Sequence, residues 1–164
     1  MTRSNARELA VHLIYGRMFT GESPEEIMQA RLEEAYYAAL SQEYELYAER
    51  PNRKQVAYMK QVVSGVAAQA ENLDALISRY AIGWEIGRIS RLTRTILQLA
   101  LYECQEVEDV PAGVAASEAV RLAKKYDGEE AGAFVNGILG SYLRETGLEP
   151  EPSQDAQPPT EAME

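Results

Sequence analysis

The sequence predicts an all-α protein built from about six or seven helices. Apolar residues recur three and four positions apart in successive segments, which is the spacing of one helix face. Ser23-Pro24-Glu25-Glu26 is a strong helix start, because serine accepts from free backbone amides and proline suits the first turn. No segment alternates apolar and polar residues over the length of a strand, so a β-sheet is not predicted.

Two helices are predicted in the first quarter of the chain. The first covers about residues 4–18 and ends at Thr20-Gly21. The second begins at the serine-proline start and covers about residues 23–40. Residues 41–52 are polar, and we interpret them as a loop or a frayed extension of the second helix.

The third predicted helix carries apolar residues at alternating spacings of three and four over more than three heptads. The residues of this seam are Val56, Met59, Val63, Val66, Ala70, Leu73, Ile77 and Tyr80. A long helix packed in an intramolecular bundle produces the same spacing, and this is the favoured interpretation. A coiled coil that joins two copies into a homodimer is the alternative.

A fourth helix is predicted at the centre of the fold. Residues 81–83 interrupt the preceding helix, and Trp84 then offers a large ring that suits the edge of a core. The new helix starts near residues 86–88. Its later part, residues 96–101, is apolar on nearly all sides, which indicates a helix buried all round.

Two further helices, at about residues 113–126 and 129–145, complete the predicted fold. Asp127-Gly128 separates them as a stop signal. Residues 147–164 hold five acidic residues, no basic residue and several prolines, so we expect this tail to be disordered. The folded domain is therefore predicted to span residues 1–146.

The net charge of −10 argues against non-specific nucleic-acid binding, which depends on a basic surface. Half of this excess lies in the tail, so the folded part is only mildly acidic and can still carry a local basic patch. The chain lacks an apolar signal core or membrane span, and its one cysteine, Cys104, cannot form an internal disulfide. These features favour a cytoplasmic protein without a membrane partner.

The residue inventory argues against an enzyme. The one histidine, His12, lies in the middle of the first predicted helix, and no CxxC or glycine-rich nucleotide motif occurs. Glu103 and Glu118 are carboxylates in mostly apolar helices, where we expect them to meet basic partners such as Arg94 or Arg121. No catalytic residue, metal or cofactor is predicted.

Arginines at two predicted helix starts are candidates for anion binding. Arg3 and Arg7 lie four apart where the helix dipole disfavours cations. Two guanidinium groups and free backbone amides would receive phosphate well, whereas a frayed end that tolerates the charge is an equal alternative. Arg88, Arg91 and Arg94 recur every three residues. Pairing with surface glutamates is the favoured interpretation for them, and a strip that contacts RNA or a protein is the alternative.

Four groups of residues, taken in order along the chain, resemble the NusB family. They are Ala6-Arg7-Glu8-Leu9-Ala10 with Leu13 and Tyr15; Tyr58-Met59 with Val62-Val63 and Gly65-Val66; Trp84 with residues 94–103; and Val110-Pro111, Val114-Ala115, Glu118-Ala119-Val120 and Leu122-Ala123-Lys124 with residues 134–140. The resemblance implies a compact helical fold of two small subdomains and no catalytic activity. It also implies a role in transcription antitermination.

The resemblance further implies partners. Family members bind single-stranded boxA RNA of ribosomal RNA leader transcripts together with NusE, a ribosomal protein, and the complex joins RNA polymerase. By position, the residues expected to bind RNA are Arg3, Arg7, Glu130 and Phe134. Those expected to bind the protein partner are Tyr15, Thr93 and Arg94. Core packing is an equal alternative for Phe134, because this residue belongs to the apolar stripe of the last helix.

The sequence also departs from the family pattern. Ser4 and Asn5 stand where further basic residues are common, and Thr93 stands where an acidic residue is usual. A protein-only scaffold with weak or no RNA binding is therefore the alternative function. A third hypothesis is the RNA-targeting module of an enzyme, because ribosomal RNA cytosine methyltransferases carry a similar domain; a separate catalytic subunit would then be required.

Overall fold

The computed structural model describes residues 1–84 and 86–148. Over these residues the chain forms eight α-helices, two short 3₁₀ helices and no strand, which confirms the predicted all-α fold. The α-helices are α1 (Arg3–Thr20), α2 (Pro24–Arg31), α3 (Glu34–Ser41), α4 (Arg53–Ala68), α5 (Ala70–Tyr80), α6 (Arg91–Glu106), α7 (Ala112–Asp127) and α8 (Glu129–Thr146); the 3₁₀ helices are Glu45–Tyr47 and Ile86–Arg88. The predicted tail lies outside the described residues from 149 onward.

The helices form two small subdomains that share one core. Helices α1–α4 pack together in the first, and α5–α8 pack together in the second. Helix α6 joins them, since it contacts α1, α4, α5, α7 and α8. Ile96, Leu97, Leu99 and Leu101 of α6 are almost completely buried, which confirms the prediction of a central helix.

The predicted helix over residues 23–40 is in fact two helices, α2 and α3. Ser23 and Glu26 form a capping box that starts α2, as the serine-proline pattern predicts. Helix α2 ends at Arg31, and the Glu33 carboxylate then accepts from two backbone amides to start α3. The prediction was wrong because both segments carry helical spacing, and glutamate is not among the preferred N-cap residues.

The heptad seam is divided in the same way. Gln69 leaves helical geometry, with φ −112° and ψ 17°, and separates α4 from α5. The kink allows α4 to pack on α1 while α5 packs on α6. Met59, Val63, Leu73 and Ile77 of the seam are buried inside the monomer, in agreement with the favoured intramolecular interpretation.

Helix α4 approaches α6 closely at a single glycine. A Cβ atom on Gly65 would lie 2.1–2.3 Å from three atoms of the Tyr102 side chain. The Tyr102 ring is buried and has little room to move away. Glycine is therefore required at this crossing, and the distance between the two subdomains depends on it.

We expect Gly65→Ala to lower the free energy of unfolding by about 1–3 kcal/mol, because the added methyl overpacks the α4–α6 contact. Urea unfolding at neutral pH measures this. Gly16→Ala is the matched control, since its Cβ would lie 3.4 Å from the nearest atom of Arg31, and alanine favours a helix. Equal stability of both variants would contradict the proposed close approach.

Candidate nucleic-acid interface

A buried ion pair holds the start of α1 against the rest of the fold. Arg7 is only 3% exposed, and its Nε and Nη2 atoms lie 2.8 and 2.9 Å from the two carboxylate oxygens of Glu103 on α6. Its Nη1 atom lies 3.3 Å from Glu118 on α7. Burial lowers the pKa of Arg7, but the hydrogen bonds and charge of Glu103 outweigh that effect and raise it overall.

These contacts correct the expectation that Arg7 binds phosphate, because its guanidinium is buried and already hydrogen-bonded to carboxylates. Arg7 instead positions the first turn of α1. They also correct the expected partner of Glu103, which is Arg7 and not Arg94. The expected pairing of Glu118 with Arg121 is present, at 2.6 Å.

Arg3, the other predicted arginine, remains partly exposed at the first turn of α1. Its guanidinium lies 4.4 Å from the centre of the Tyr58 ring, and its Nη2 atom lies 2.9 Å from Asp109. Thr2 caps the helix by accepting from the Asn5 amide. Arg3 is thus the predicted RNA-binding arginine that the fold leaves accessible.

Three cations of α7 extend the surface that begins at Arg3. Arg121 donates to Ser4 of α1, Lys125 lies 2.7 Å from Glu8, and Lys124 lies 3.9 Å from Glu129 at the start of α8. We call these four side chains the cationic strip: Arg3, Arg121, Lys124 and Lys125. No binding role was predicted for the two lysines from the sequence, although the spacing 121, 124 and 125 already indicated one exposed helix face.

A polar network lies beneath the strip. The Tyr126 hydroxyl donates to Glu8, so its oxygen accepts from Nε2–H of His12, 2.8 Å away. His12 Nδ1 then accepts from the Tyr47 hydroxyl at 3.4 Å. Burial raises the pKa of Glu8, but hydrogen bonds from Lys125 and Tyr126 and the lysine charge lower it overall. The network therefore ties α1 to α7 and to the 3₁₀ helix of residues 45–47.

A cleft of about 560 Å³ lies beyond the far end of the strip, between the start of α6 and the α7–α8 turn. Trp84, which is 40% exposed, meets the edge of Phe134 with ring centres 5.1 Å apart. Thr93 and Ser90 both donate to Asp127, and all three residues line the cleft.

Three residues singled out from the sequence meet at this cleft, namely Thr93, Glu130 and Phe134. Phe134 is buried, which favours the core-packing alternative and leaves Trp84 as the accessible ring. Thr93 is also buried, whereas Glu130 is exposed at the rim. Trp84 was interpreted only as a core anchor, so its exposed face was missed.

The remaining predicted residues, Tyr15 and Arg94, lie near the end of α1 and the start of α6. Tyr15 packs edge-on against Phe19, which is 57% exposed and has the Arg91 guanidinium 5.6 Å from its ring. Together with exposed Met18, these side chains form an aromatic patch of Tyr15, Met18, Phe19 and Arg91. Arg94 lies 3.6 Å from Asp74 on the neighbouring surface of α5 and α6.

Within residues 1–84 and 86–148, no cluster of histidine, cysteine and acidic side chains is placed to hold a metal ion. Over the same ranges, no helix combines the length and apolar character needed to cross a membrane.

Comparison with known proteins gives consistent matches. Residues 4–144 match the model of the NusB family. The transcription antitermination protein NusB of Acetivibrio thermocellus is 39% identical over 144 residues, covering 88% of this chain and 90% of that protein. The NusB of Rubrobacter xylanophilus is 43% identical over 139 residues, covering 85% and 88%.

A solved structure of antitermination factors NusB and NusE in complex with double-stranded RNA contains a similar chain. The two folds superimpose with a TM-score of 0.69 at 26% identity, covering 87% of this chain and 96% of that one.

The single histidine predicts a specific pH dependence of stability. Burial lowers the pKa of His12, and the charges of Lys125 and Arg31 lower it further, while Glu8 partly opposes them. The unfolded chain, in which the histidine pKa is about 6.5, therefore binds the proton more readily. Above that pH the histidine is neutral in both states and does not reduce the free energy of unfolding. Below it the free energy of unfolding falls as the pH decreases, by at most about 1.4 kcal/mol per pH unit.

Urea unfolding at pH 7.5 and 5.5 tests this dependence, with His12→Gln as the variant that cannot titrate in that window. We expect the variant to lose less stability on acidification than the wild type. An equal loss in both proteins would contradict the prediction.

Proposed function

The chain belongs to the NusB family, and we propose that it is a non-catalytic, RNA-binding transcription antitermination factor. In finer terms, it binds boxA-type RNA of ribosomal RNA leader transcripts together with NusE, and the complex joins RNA polymerase. The observation that carries the proposal is the cationic strip, which places four partly exposed cations on the neighbouring helices α1 and α7 of an otherwise acidic protein.

The cationic strip is suited to binding the phosphate groups of RNA. Its side chains are partly exposed on the first turn of α1 and the second half of α7, so one RNA strand that follows these helices would meet several cations. Neutralising phosphates with such cations releases counterions, which supplies affinity that falls with salt. The N-terminus of α1 adds backbone amides at the same end.

Base recognition belongs to the cleft beyond the strip. The exposed face of Trp84 offers a stacking surface for a nucleobase, which is a sequence-tolerant contact. Phe134 supports that ring from below, and the Glu130 carboxylate at the rim can accept from a base amino group. Of the two predicted residues, Glu130 therefore contacts RNA directly, whereas Phe134 contributes by supporting the Trp84 ring.

The aromatic patch is the proposed protein-binding surface. Tyr15 and Phe19 supply large rings with little conformational entropy to lose, and the Arg91 guanidinium lies over the Phe19 ring. Arg94, which we propose as a further contact with the partner, follows Arg91 by three residues on α6. Thr93 is buried in the first turn of α6, where its amide donates to Ser90 and its hydroxyl donates to Asp127, so it supports this surface from inside rather than contacting the partner. The related chain solved with NusE and double-stranded RNA supports a joint complex of this kind. Two modest contacts on one molecule raise the effective concentration of each partner for the other.

A protein-only scaffold is the second candidate function. Two observations favour it: Arg7 is sequestered in the core, and each cation of the strip already has a polar or acidic neighbour. On this alternative the aromatic patch binds protein, and the strip binds no RNA.

Titration of a labelled boxA-type RNA by fluorescence anisotropy across a salt series, with and without NusE, separates the two candidates. We expect Arg3→Ala to weaken RNA binding roughly three- to tenfold, because a charge-assisted contact is lost. The slope of log affinity against log salt should fall by about 0.7 for a single strand.

Arg79→Ala is the control, since this arginine is also exposed and paired with one acid, Glu145, but lies outside the strip. A parallel titration with duplex RNA shows which form is preferred. Absence of RNA binding by the wild type at every salt concentration, with NusE present, would reject the RNA part of the proposal and favour the scaffold.

We expect Tyr15→Ala to weaken binding to NusE by at least about fivefold, since buried aromatic anchors dominate protein interfaces. Calorimetric titration measures the loss. Tyr36→Ala is the matched control, because Tyr36 is an exposed tyrosine on α3, away from the patch. Equal affinities of the two variants for NusE would mean that NusE binds a surface other than the aromatic patch.

A further inference from the structure

The accessible arginine of the strip already holds an anion. Arg3 Nη2 lies 2.9 Å from the Asp109 carboxylate, in the turn that joins α6 to α7. We propose that Asp109 is a selectivity residue: it occupies the phosphate site on Arg3 and yields only to a ligand that is anchored by other contacts as well. The inference rests on the proposed RNA-binding function and adds a regulating group to that site.

The site on Arg3 is built independently of Asp109. The Tyr58 ring is only 4% exposed and supports one face of the guanidinium at 4.4 Å. Arg7 lies over the same ring at 6.0 Å and is fixed by the buried carboxylate of Glu103. The stacked guanidinium therefore keeps its hydrogen-bonding edge directed outward, whichever anion is bound there.

Asp109 is an exchangeable anion. Its side chain is 62% exposed, while that of Arg3 is 30% exposed, so water reaches both groups. The turn itself is held by backbone hydrogen bonds, from Val110 to Val107 and from Ala115 to Pro111, which do not involve the Asp109 side chain. The hydrogen bond and charge of Arg3 lower the pKa of Asp109, so the carboxylate is ionised at neutral pH.

Exchange of this anion discriminates between ligands. An exposed ion pair contributes little stability, but a tethered carboxylate has a high effective concentration against a free anion. A single phosphate has only the Arg3 contact to gain and must displace Asp109 for it. An RNA strand that is already bound to Arg121, Lys124 and Lys125 gains further contacts. Its next phosphate is then close to Arg3 and can displace Asp109. The displaced carboxylate then lies beside the strand and repels it.

The test compares Asp109→Asn with Glu108→Gln. Both remove one negative charge from the same turn, but Glu108 is exposed and pairs with no cation among the described residues. We expect Asp109→Asn to raise the affinity for a labelled boxA-type RNA about two- to fivefold, the range of one exposed ion pair. Glu108→Gln should give less than half of that increase.

Two further measurements make the test specific. In the double variant Arg3→Ala/Asp109→Asn the increase should disappear, because the cation that the two anions share is gone. Inorganic phosphate should compete with RNA at a lower concentration on Asp109→Asn than on the wild type. Asp109→Ser repeats the test if the asparagine variant does not fold, as judged by circular dichroism.

The outcomes separate this inference from the proposed function. Unchanged or weaker RNA binding by Asp109→Asn, or an equal increase in Glu108→Gln, overturns the role of Asp109 while RNA binding by the wild type stands. No RNA binding by the wild type or by Asp109→Asn overturns the proposed function and this inference together.

Discussion

The buried contact between Arg7, Glu103 and Glu118 is the interaction on which the surface of this protein depends. It joins α1, α6 and α7, which belong to different subdomains, through one guanidinium. Removing one partner would leave a buried charge uncompensated, at a cost of about 3–5 kcal/mol. Because the geometry is bidentate, it also fixes the direction of α1 and hence the place of Arg3 beside Tyr58.

A second polar network begins at the next residue of α1. Glu8 receives Lys125 and Tyr126, and His12 continues the chain of hydrogen bonds to Tyr47. Glu118 pairs with both Arg7 and Arg121, and Glu8 pairs with both Arg121 and Lys125, so each carboxylate reduces the repulsion between neighbouring cations. The strip is therefore a set of balanced pairs, and binding of a polyanion there is an exchange of anions rather than a simple attraction.

The accuracy of the sequence-based interpretation varied with the kind of signal. Periodicity placed α1, α7 and α8 well, because each has one continuous buried stripe. The predicted start of the central helix near residues 86–88 was wrong, because these residues form a separate 3₁₀ helix and Ser90 caps α6, which begins at Arg91. Periodicity missed the breaks before Glu33 and at Gln69, since apolar spacing continues through both. Among the site residues, Arg3 was found at the surface as expected. Arg7 lies in the core instead. The sequence does not distinguish it from Arg3, because the burial of two arginines four residues apart on one helix depends on the neighbouring helices.

The amino-acid sequence by itself determined the all-α class, the central position of α6 and the resemblance to the NusB family, since these follow from local spacing and ordered motifs. Only the tertiary structure decided which charges are exposed. Asp109 is 106 residues from Arg3 in sequence, and Glu103 is 96 residues from Arg7. Such pairings depend on how helices cross, because Coulomb energy and desolvation depend on distances in space and not along the chain.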